Sequence, residues 1–293
     1  MSDFFIASSG NKISKSKLNP PLEPLIGLSN PESHHGSGIH FLLILMVSLA
    51  AVGCKDACDE VVCFNGGVCV DGDCICAEGW AGPDCSTLVC EPVEFNGHTY
   101  EVVAIGAQCW FAENLRSEKY RNGDWIPGNL SDLTWISTTM GARTVFGEGS
   151  SHVSSGSGDE VANLANYGRL YNWYSVEDGR GLCPTGWHVP SDGEWKELTD
   201  YLGGGSVAGS HMKSSSSDTP PWDGSNSSGF SGLPGGYRSY YGVFDGVGNY
   251  GCWWSSSPYS SGAWARLLRS NDAYVYRFYF NQRLGFSVRC VRD

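Results

Sequence analysis

The chain has 293 residues, of which 41% are hydrophobic and 13% aromatic, enough to bury a sizeable core and too apolar for a chain that is disordered overall. Its formal net charge of -12 excludes nucleic acid and anionic lipid surfaces as natural partners, because both would be repelled. Twelve cysteines exclude an ordinary cytosolic protein, and 39 glycines beside 11 tryptophans and 14 tyrosines point to short strands and tight turns.

The N-terminal segment reads as an address. From Ile39 the chain runs IHFLLILMVSLAAVGC, with an apolar run of about twelve residues from Phe41 to Val52. A spanning helix needs roughly 20 apolar residues, so residues 41–52 match the hydrophobic region of a signal peptide, and residues 1–53 form a leader. Ala51 and Gly53 stand third and first before Cys54, where signal peptidases accept small residues. Cys54 also resembles the modified cysteine of a bacterial lipobox, L-[AS]-[GA]-C, and on that reading it carries lipid and attaches the protein to a membrane. Two features depart from the pattern: Ala51 replaces the usual leucine, and Lys12, Lys15 and Lys17 lie far upstream.

Six cysteines follow with the spacing C-x4-C-x5-C-x4-C-x-C-x8-C, at Cys58, Cys63, Cys69, Cys74, Cys76 and Cys85. A stretch of some ~30 residues cannot bury enough apolar area to fold alone, so crosslinks must replace a core. No C-x2-C pair and no histidine stands between Cys58 and Cys85, which argues against zinc. The spacing, with Asn65-Gly66-Gly67, Gly79-Trp80 and Gly82 between the cysteines, resembles an EGF-like module over residues 56–87. The resemblance implies the pairs Cys58–Cys69, Cys63–Cys74 and Cys76–Cys85. Only Lys55-Asp56-Ala57 precedes the first cysteine, too few oxygens for the calcium that some such modules hold. The module is expected to act as a spacer outside the cytosol.

Beyond Ser86 the texture changes. Asn96-Gly97 inside VEFNGHTYEVVAIG is a strong hairpin signal. In PTGWHVPSDGEWKELTDYLG, Ser191 with Glu194 three residues on forms a capping box, Trp195, Leu198 and Leu202 share one helical face, and Gly203 stops the helix. Residues 203–232 and 147–160 are rich in glycine and serine and read as long surface loops. The remainder reads as four or five short strands, with Ala273–Phe280 an eight-residue strand rich in aromatics.

Seven blocks in this order, IGAQCWFAENL, YGRLYNWYSV, LCPTGWHVPSDGEW, GFSGLPGGYRS, GCWWSSS, AWARLL and GFSVRCVRD, resemble the Fibrobacter succinogenes major paralogous domain over residues 90–293. The resemblance implies an α+β fold of the C-type-lectin-like and formylglycine-generating-enzyme-like kind, with a twisted antiparallel sheet and long loops. It also implies a bacterial envelope protein, and it supplies no molecular function. Lectin-like folds bridge the positions of Cys183 and Cys290, which are paired on that ground. Cys90 and Cys109 flank the first hairpin almost symmetrically and can also reach one another. Cys252 is left over, as a buried thiol if Cys54 carries lipid and as a partner for Cys54 if it does not.

Catalytic and metal chemistry find little support. His98, His152, His188 and His211 fall into no ligand-spaced pair, and His188 in GWHVP reads as packed. Cys252 has no second thiol nearby to hold copper. Glu94, Glu101 and Glu113 have no separation that the sequence can set. The lectin calcium motifs EPN, QPD and WND are missing, so no metal and no cofactor is expected. Arg238, Arg266, Arg269 and Arg289 read as members of buried or half-buried ion pairs. Aromatics remain: Trp222, Tyr237, Tyr240, Tyr241, Trp253, Trp254, Tyr259 and Trp264 crowd the last third. Trp253 and Trp254 cannot share a strand face, so one at least is core, and Trp187 and Trp264 read as core as well. Trp222, Tyr240 and Tyr241 lie in loop-like sequence and are the candidate exposed contacts. The resulting expectation is an exported envelope protein, lipid-anchored at the outer membrane or cell surface, with a noncatalytic adhesive role towards a glycan or protein. A hydrolytic or oxidative enzyme and a purely structural envelope component are the alternatives.

Overall fold

Crosslinks stand in for a core at the N-terminal end of the described chain. The computed structural model describes residues 57–150, 152–153 and 159–293, so the apolar run 41–52 and the lipidation residue Cys54 lie outside the described residues. Three disulfides, Cys58–Cys69, Cys63–Cys74 and Cys76–Cys85, hold the first segment at Cα separations of 5.9, 5.6 and 5.2 Å. Two small antiparallel pairs sit between them: β1 (Val68–Val70) with β2 (Asp73–Ile75), and β3 (Trp80–Ala81) with β4 (Thr87–Leu88). Phe64, Val68, Val70 and Ile75 remain exposed, while the Cys85 half-cystine is buried. Each bridge replaces missing burial by restricting the unfolded chain, worth roughly 2–4 kcal/mol.

The large domain opens with a hairpin of β5 (Val93–Phe95) and β6 (His98–Tyr100) around Asn96 and Gly97, which take φ of 50° and 81°. Next come β7 (Val102–Ile105) and β8 (Gln108–Phe111), then α1 (Asp132–Ser137), β9 (Arg143–Thr144), α2 (Glu160–Tyr167), β10 (Leu170–Tyr171) and α3 (Trp173–Val176). The strand β11 (Trp187–His188) leads into α4 (Asp192–Tyr201), whose capping box of Ser191 and Glu194 is fully formed. Leu202 caps α4 and Gly203 follows at φ 96°. After α5 (Ala208–Met212) come β12 (Gly235–Arg238), β13 (Phe244–Val247), β14 (Tyr250–Tyr259), β15 (Gly262–Arg269), β16 (Tyr276–Asn281) and β17 (Val291–Arg292). The domain is thus a mixed α/β structure made mostly of strands.

Two sheets organise it. A four-stranded sheet runs β11-β17-β8-β7, and a five-stranded sheet runs β13-β12-β14-β15-β16 with β16 at its edge. Cys183–Cys290 ties the approach to β11 to the end of the chain across 107 residues, and Cys90–Cys109 ties the entry of the domain to β8. The five-stranded sheet has a core on each face. Trp254, Cys252, Ala263, Ala265 and Leu267 pack on one side with Phe286 and Trp173. Trp253 and Leu268 pack on the other with Trp110, Phe230 and the α4 residues Trp195 and Leu198. Consecutive residues of a strand point to opposite faces, so Trp253 and Trp254 are both fully buried, each in a different core.

Residues 203–232 do not form a solvated surface loop. They carry α5 and bury Met212, Lys213, Ser214, Trp222 and Phe230. The glycines allow this close packing: a Cβ on Gly224 would stand 2.3 Å from the Lys213 carbonyl oxygen. Lys213, 2% exposed, gives its ammonium protons to Asp223 and to the carbonyls of Arg269 and Asp272. The last aromatic strand begins at Tyr276, three residues later than expected, and among the described residues four further helices accompany α4.

Candidate binding surface

The aromatic contacts expected from sequence separate. Trp222 is 7% exposed and belongs to the α4-side core. Its indole Nε1 donates to Ser270 Oγ at 2.9 Å, and the Lys213 ammonium lies 5.2 Å from the ring centroid. It therefore cannot be a surface contact, because burying the ring is what closes the 203–232 segment over the core. Tyr240 and Tyr241 are exposed on the β12–β13 connection with ring centroids 4.0 Å apart. That connection lies at the β13 side of the sheet, across three strands from β16.

The largest cluster of exposed aromatics gathers instead at the β16 edge. On the α4 side, Trp264 of β15 stands directly across from Tyr279 of β16. Tyr259, at the end of β14, lies 4.4 Å from Trp264 and 4.8 Å from Tyr279 between ring centroids. Tyr259 and Tyr279 are 45% and 46% exposed. The Arg277 guanidinium sits 3.4 Å from the Trp264 ring centroid and is itself held by Asp192, with Nε to Oδ1 and Nη2 to Oδ2 both at 2.8 Å. Asp192 also accepts from the buried Arg266 at 2.8 Å. Burial works against the Asp192 charge, yet the hydrogen bonds and charges of Arg277 and Arg266 hold its carboxyl below the usual range. On the opposite face of the same strand, Tyr274, Tyr276 and Phe278 form a file with centroids 5.4 and 5.7 Å apart.

Trp264 is thus only partly buried, in the first half of β15, and is not one of the core residues. The reading from sequence missed Tyr274, Tyr276, Arg277, Phe278 and Tyr279 as surface residues. A strand with aromatics at both parities reads as buried on both sides, and only the charged Arg277 in its middle hinted at an edge.

Among the described residues the four histidines weighed from the sequence lie at separate places. His188 is half-exposed rather than packed, with Nδ1 2.6 Å from Asp293 and Nε2 2.8 Å from Glu194. Burial would lower its pKa, but the hydrogen bonds and charges of Asp293 and Glu194 raise it above the ordinary value. His98 meets Glu113, His211 meets Ser227 and His152 meets Asp132, at separate places. Glu94 pairs with Thr99 and Glu113 with Arg116, while Glu101 is exposed. Cys252 is a buried free thiol, and burial pushes its pKa well up, the opposite of what a nucleophilic cysteine needs. Among the described residues no three His, Cys, Asp or Glu side chains group to hold a metal ion.

Arg238, Arg266 and Arg269 pair with Asp132, Asp192 and Asp272 at 3.0, 2.8 and 2.8 Å. Arg289 departs from that pattern. It is fully buried and donates to Phe111 O, Phe230 O, Ser231 O and Asn114 Oδ1, all neutral acceptors. Burial pushes its guanidinium down to about 9, against the attraction of Glu113, and it stays protonated at neutral pH.

Comparison with known proteins places this arrangement in a family. Residues 103–292 match the Fibrobacter succinogenes major domain, and the chain belongs to that family. No curated protein and no solved structure matches it.

Proposed function

We propose that this member of the Fibrobacter succinogenes major domain family is an exported envelope protein that binds glycans without transforming them. On this reading the large domain has a C-type-lectin-like fold, the disulfide-rich segment is an EGF-like module, and a lipid on Cys54 attaches the mature protein to a membrane at the cell surface. Five disulfides in the described chain support export, because a reducing compartment would not maintain them.

The observation that carries the binding role is the trio of exposed Tyr259 and Tyr279 with half-buried Trp264 between them, locked by the Arg277–Asp192 pair. Rings held rigidly at a surface lose little entropy on contact and offer apolar faces to the C–H faces of sugars. The same strand brings polar Arg277 beside them to satisfy hydroxyls.

A glycan array probed with the full mature protein, and repeated with a Tyr259→Ala/Tyr279→Ala variant, tests the role. We expect retention of one polysaccharide class by the native protein and a loss of about tenfold or more in the variant, at roughly 0.5–1.5 kcal/mol per ring contact. Equal retention by the variant, or no glycan retained by the native protein, removes the reading. Mass spectrometry of the mature N-terminus tests the anchor: a diacylglyceryl adduct on Cys54 is expected, and an unmodified or disulfide-bonded Cys54 rules it out.

A further inference from the structure

A second site lies away from the sheet edge. A cleft of ≈ 350 Å³ is walled by the segment after β8 (Ala112, Glu113, Arg116), by the end of α2 (Ala165, Asn166) and by the 214–233 segment. Its volume falls at the lower end of small-molecule sites, roughly 300–1,000 Å³. That leaves room for one sugar ring rather than a chain.

The walls are tied to one another from beneath. Arg289 donates to Phe111 O at 2.8 Å on the first wall and to Phe230 O and Ser231 O at 2.6 and 2.9 Å on the third. It also donates to Asn114 Oδ1 at 2.8 Å, and Asn114 Nδ2 in turn donates to Tyr167 O, at the end of α2. One buried cation therefore holds all three walls in register, and no carboxylate shares the task. This explains an otherwise costly burial: a guanidinium with its donors pointing outward in a fixed fork can clamp several carbonyls at once.

The lining has the character of a sugar site. Among the described residues the Asn166 amide and the Thr219 hydroxyl make no hydrogen bond. Asp218 accepts through Oδ2 from Ser215 N and Asn226 Nδ2, and Glu113 accepts through Oε2 from Arg116 and His98. Fork-shaped amide, carboxylate and guanidinium groups match neighbouring hydroxyls two at a time. Ala112, Pro220 and Leu233 supply apolar wall for a ring's C–H face. With the buried Arg289 beneath the walls, Glu113 and Asp218 face two guanidiniums, so the site has no net charge to favour an anion over a neutral sugar.

We infer that this cleft is a preorganised subsite for one neutral sugar unit, distinct from the aromatic edge. Either site can fail without the other.

The test is saturation-transfer NMR on the full mature protein with the methyl glycosides of glucose, galactose, mannose and N-acetylglucosamine, and with glucuronate. Asn166→Ala and Thr219→Val are chosen because neither side chain has a partner to lose on folding. We expect millimolar binding of at least one neutral glycoside, weakened about fivefold by each substitution, the size of one modest hydrogen bond. Binding should persist in the Tyr259→Ala/Tyr279→Ala variant, which separates this site from the edge. The inference is overturned if no neutral glycoside binds, if the cleft variants bind equally well, if the edge variant abolishes binding, or if glucuronate is preferred.

Discussion

Replacing Asp192 with alanine should damage the protein out of proportion to a partly exposed position. Its carboxylate accepts from Arg266 at 2.8 Å and from Arg277 at 2.8, 2.8 and 3.1 Å, and it is the first residue of α4. Arg266 is 3% exposed, so Asp192→Ala strands a buried guanidinium whose remaining acceptors are the carbonyls of Asp192 and Ala265. Breaking such a pair from one side costs about 3–5 kcal/mol. The 23% exposure of Asp192 argues for the lower end. Losing a negative charge at a helix start adds about 0.3–1 kcal/mol. The sum, about 3–4 kcal/mol, corresponds to a fall in Tm of roughly 6–15 °C for a domain of this size.

Thermal and urea unfolding followed by tryptophan fluorescence, with disulfides intact, would measure it. The decisive arm is the double variant Asp192→Ala/Arg266→Met, which removes the stranded charge and should recover most of the loss. A penalty under about 1 kcal/mol, or no recovery, would refute the argument from an uncompensated buried charge. The sign with pH follows from the depressed Asp192 pKa: its contribution is complete above the unfolded value and is lost as pH falls through the lower folded value. The native protein should therefore lose this increment in acid below about pH 4, and the double variant should not.

Three further outcomes are expected. Trp222→Ala should cost about 3–5 kcal/mol in urea unfolding while the folded fraction keeps its glycan affinity, since this ring fills a core; lost affinity with unchanged stability would contradict its burial. His188→Gln should flatten the pH dependence of stability, because a raised His188 pKa contributes below the unfolded value of 6.5 and the contribution is lost as pH rises through the folded one. Half-exposure keeps that effect under about 1 kcal/mol, and identical slopes between about pH 6 and 8 for variant and native protein would remove it. Arg292→Ala should speed limited proteolysis between Thr87 and Glu91, because Arg292 Nη1 donates to Val89 O at 2.8 Å; unchanged cleavage would show that the junction does not depend on that bond.

What the sequence disclosed follows the range of its signals. The capping box at Ser191 and the Asn96-Gly97 turn are local chemistry, and both form where the pattern placed them. Short strands and tight turns were legible from glycine and aromatic composition, whereas the α+β class came from the family resemblance. Burial of the 203–232 segment was not legible, because glycine and serine signal solvation and close backbone packing with the same letters. Only the tertiary setting tells them apart, as Lys213 buried against Gly224 shows. Trp222 and Trp264 exchanged expected places for a related reason. One lies in polar sequence that folds over a core, and the other beside the outermost strand of a sheet. Whether a strand is central or at an edge depends on sheet order, which no window along the chain reports. The cleft on Arg289 was equally hidden, since its walls come from residues more than a hundred positions apart.

Sheet order and the junction together suggest why the two proposed surfaces lie where they do. The disulfide-rich module is not joined by a loose tether. Val89 N donates to Gly79 O at 2.9 Å, Val89 O accepts from Arg292, and Cys90 is bridged to Cys109. Leu88 and Cys90 pack against the core that holds Trp254. Gly79, whose φ of 83° suits glycine, lies against the Arg292 guanidinium. The contacts at this junction come from β8 and β17, which belong to the four-stranded sheet. The aromatic cluster is on the outermost strand of the other sheet, and the polar cleft opens between the β8 loop and the 214–233 segment. The contacts that hold the module therefore fall on the four-stranded sheet, and the exposed aromatics on the outermost strand of the five-stranded one.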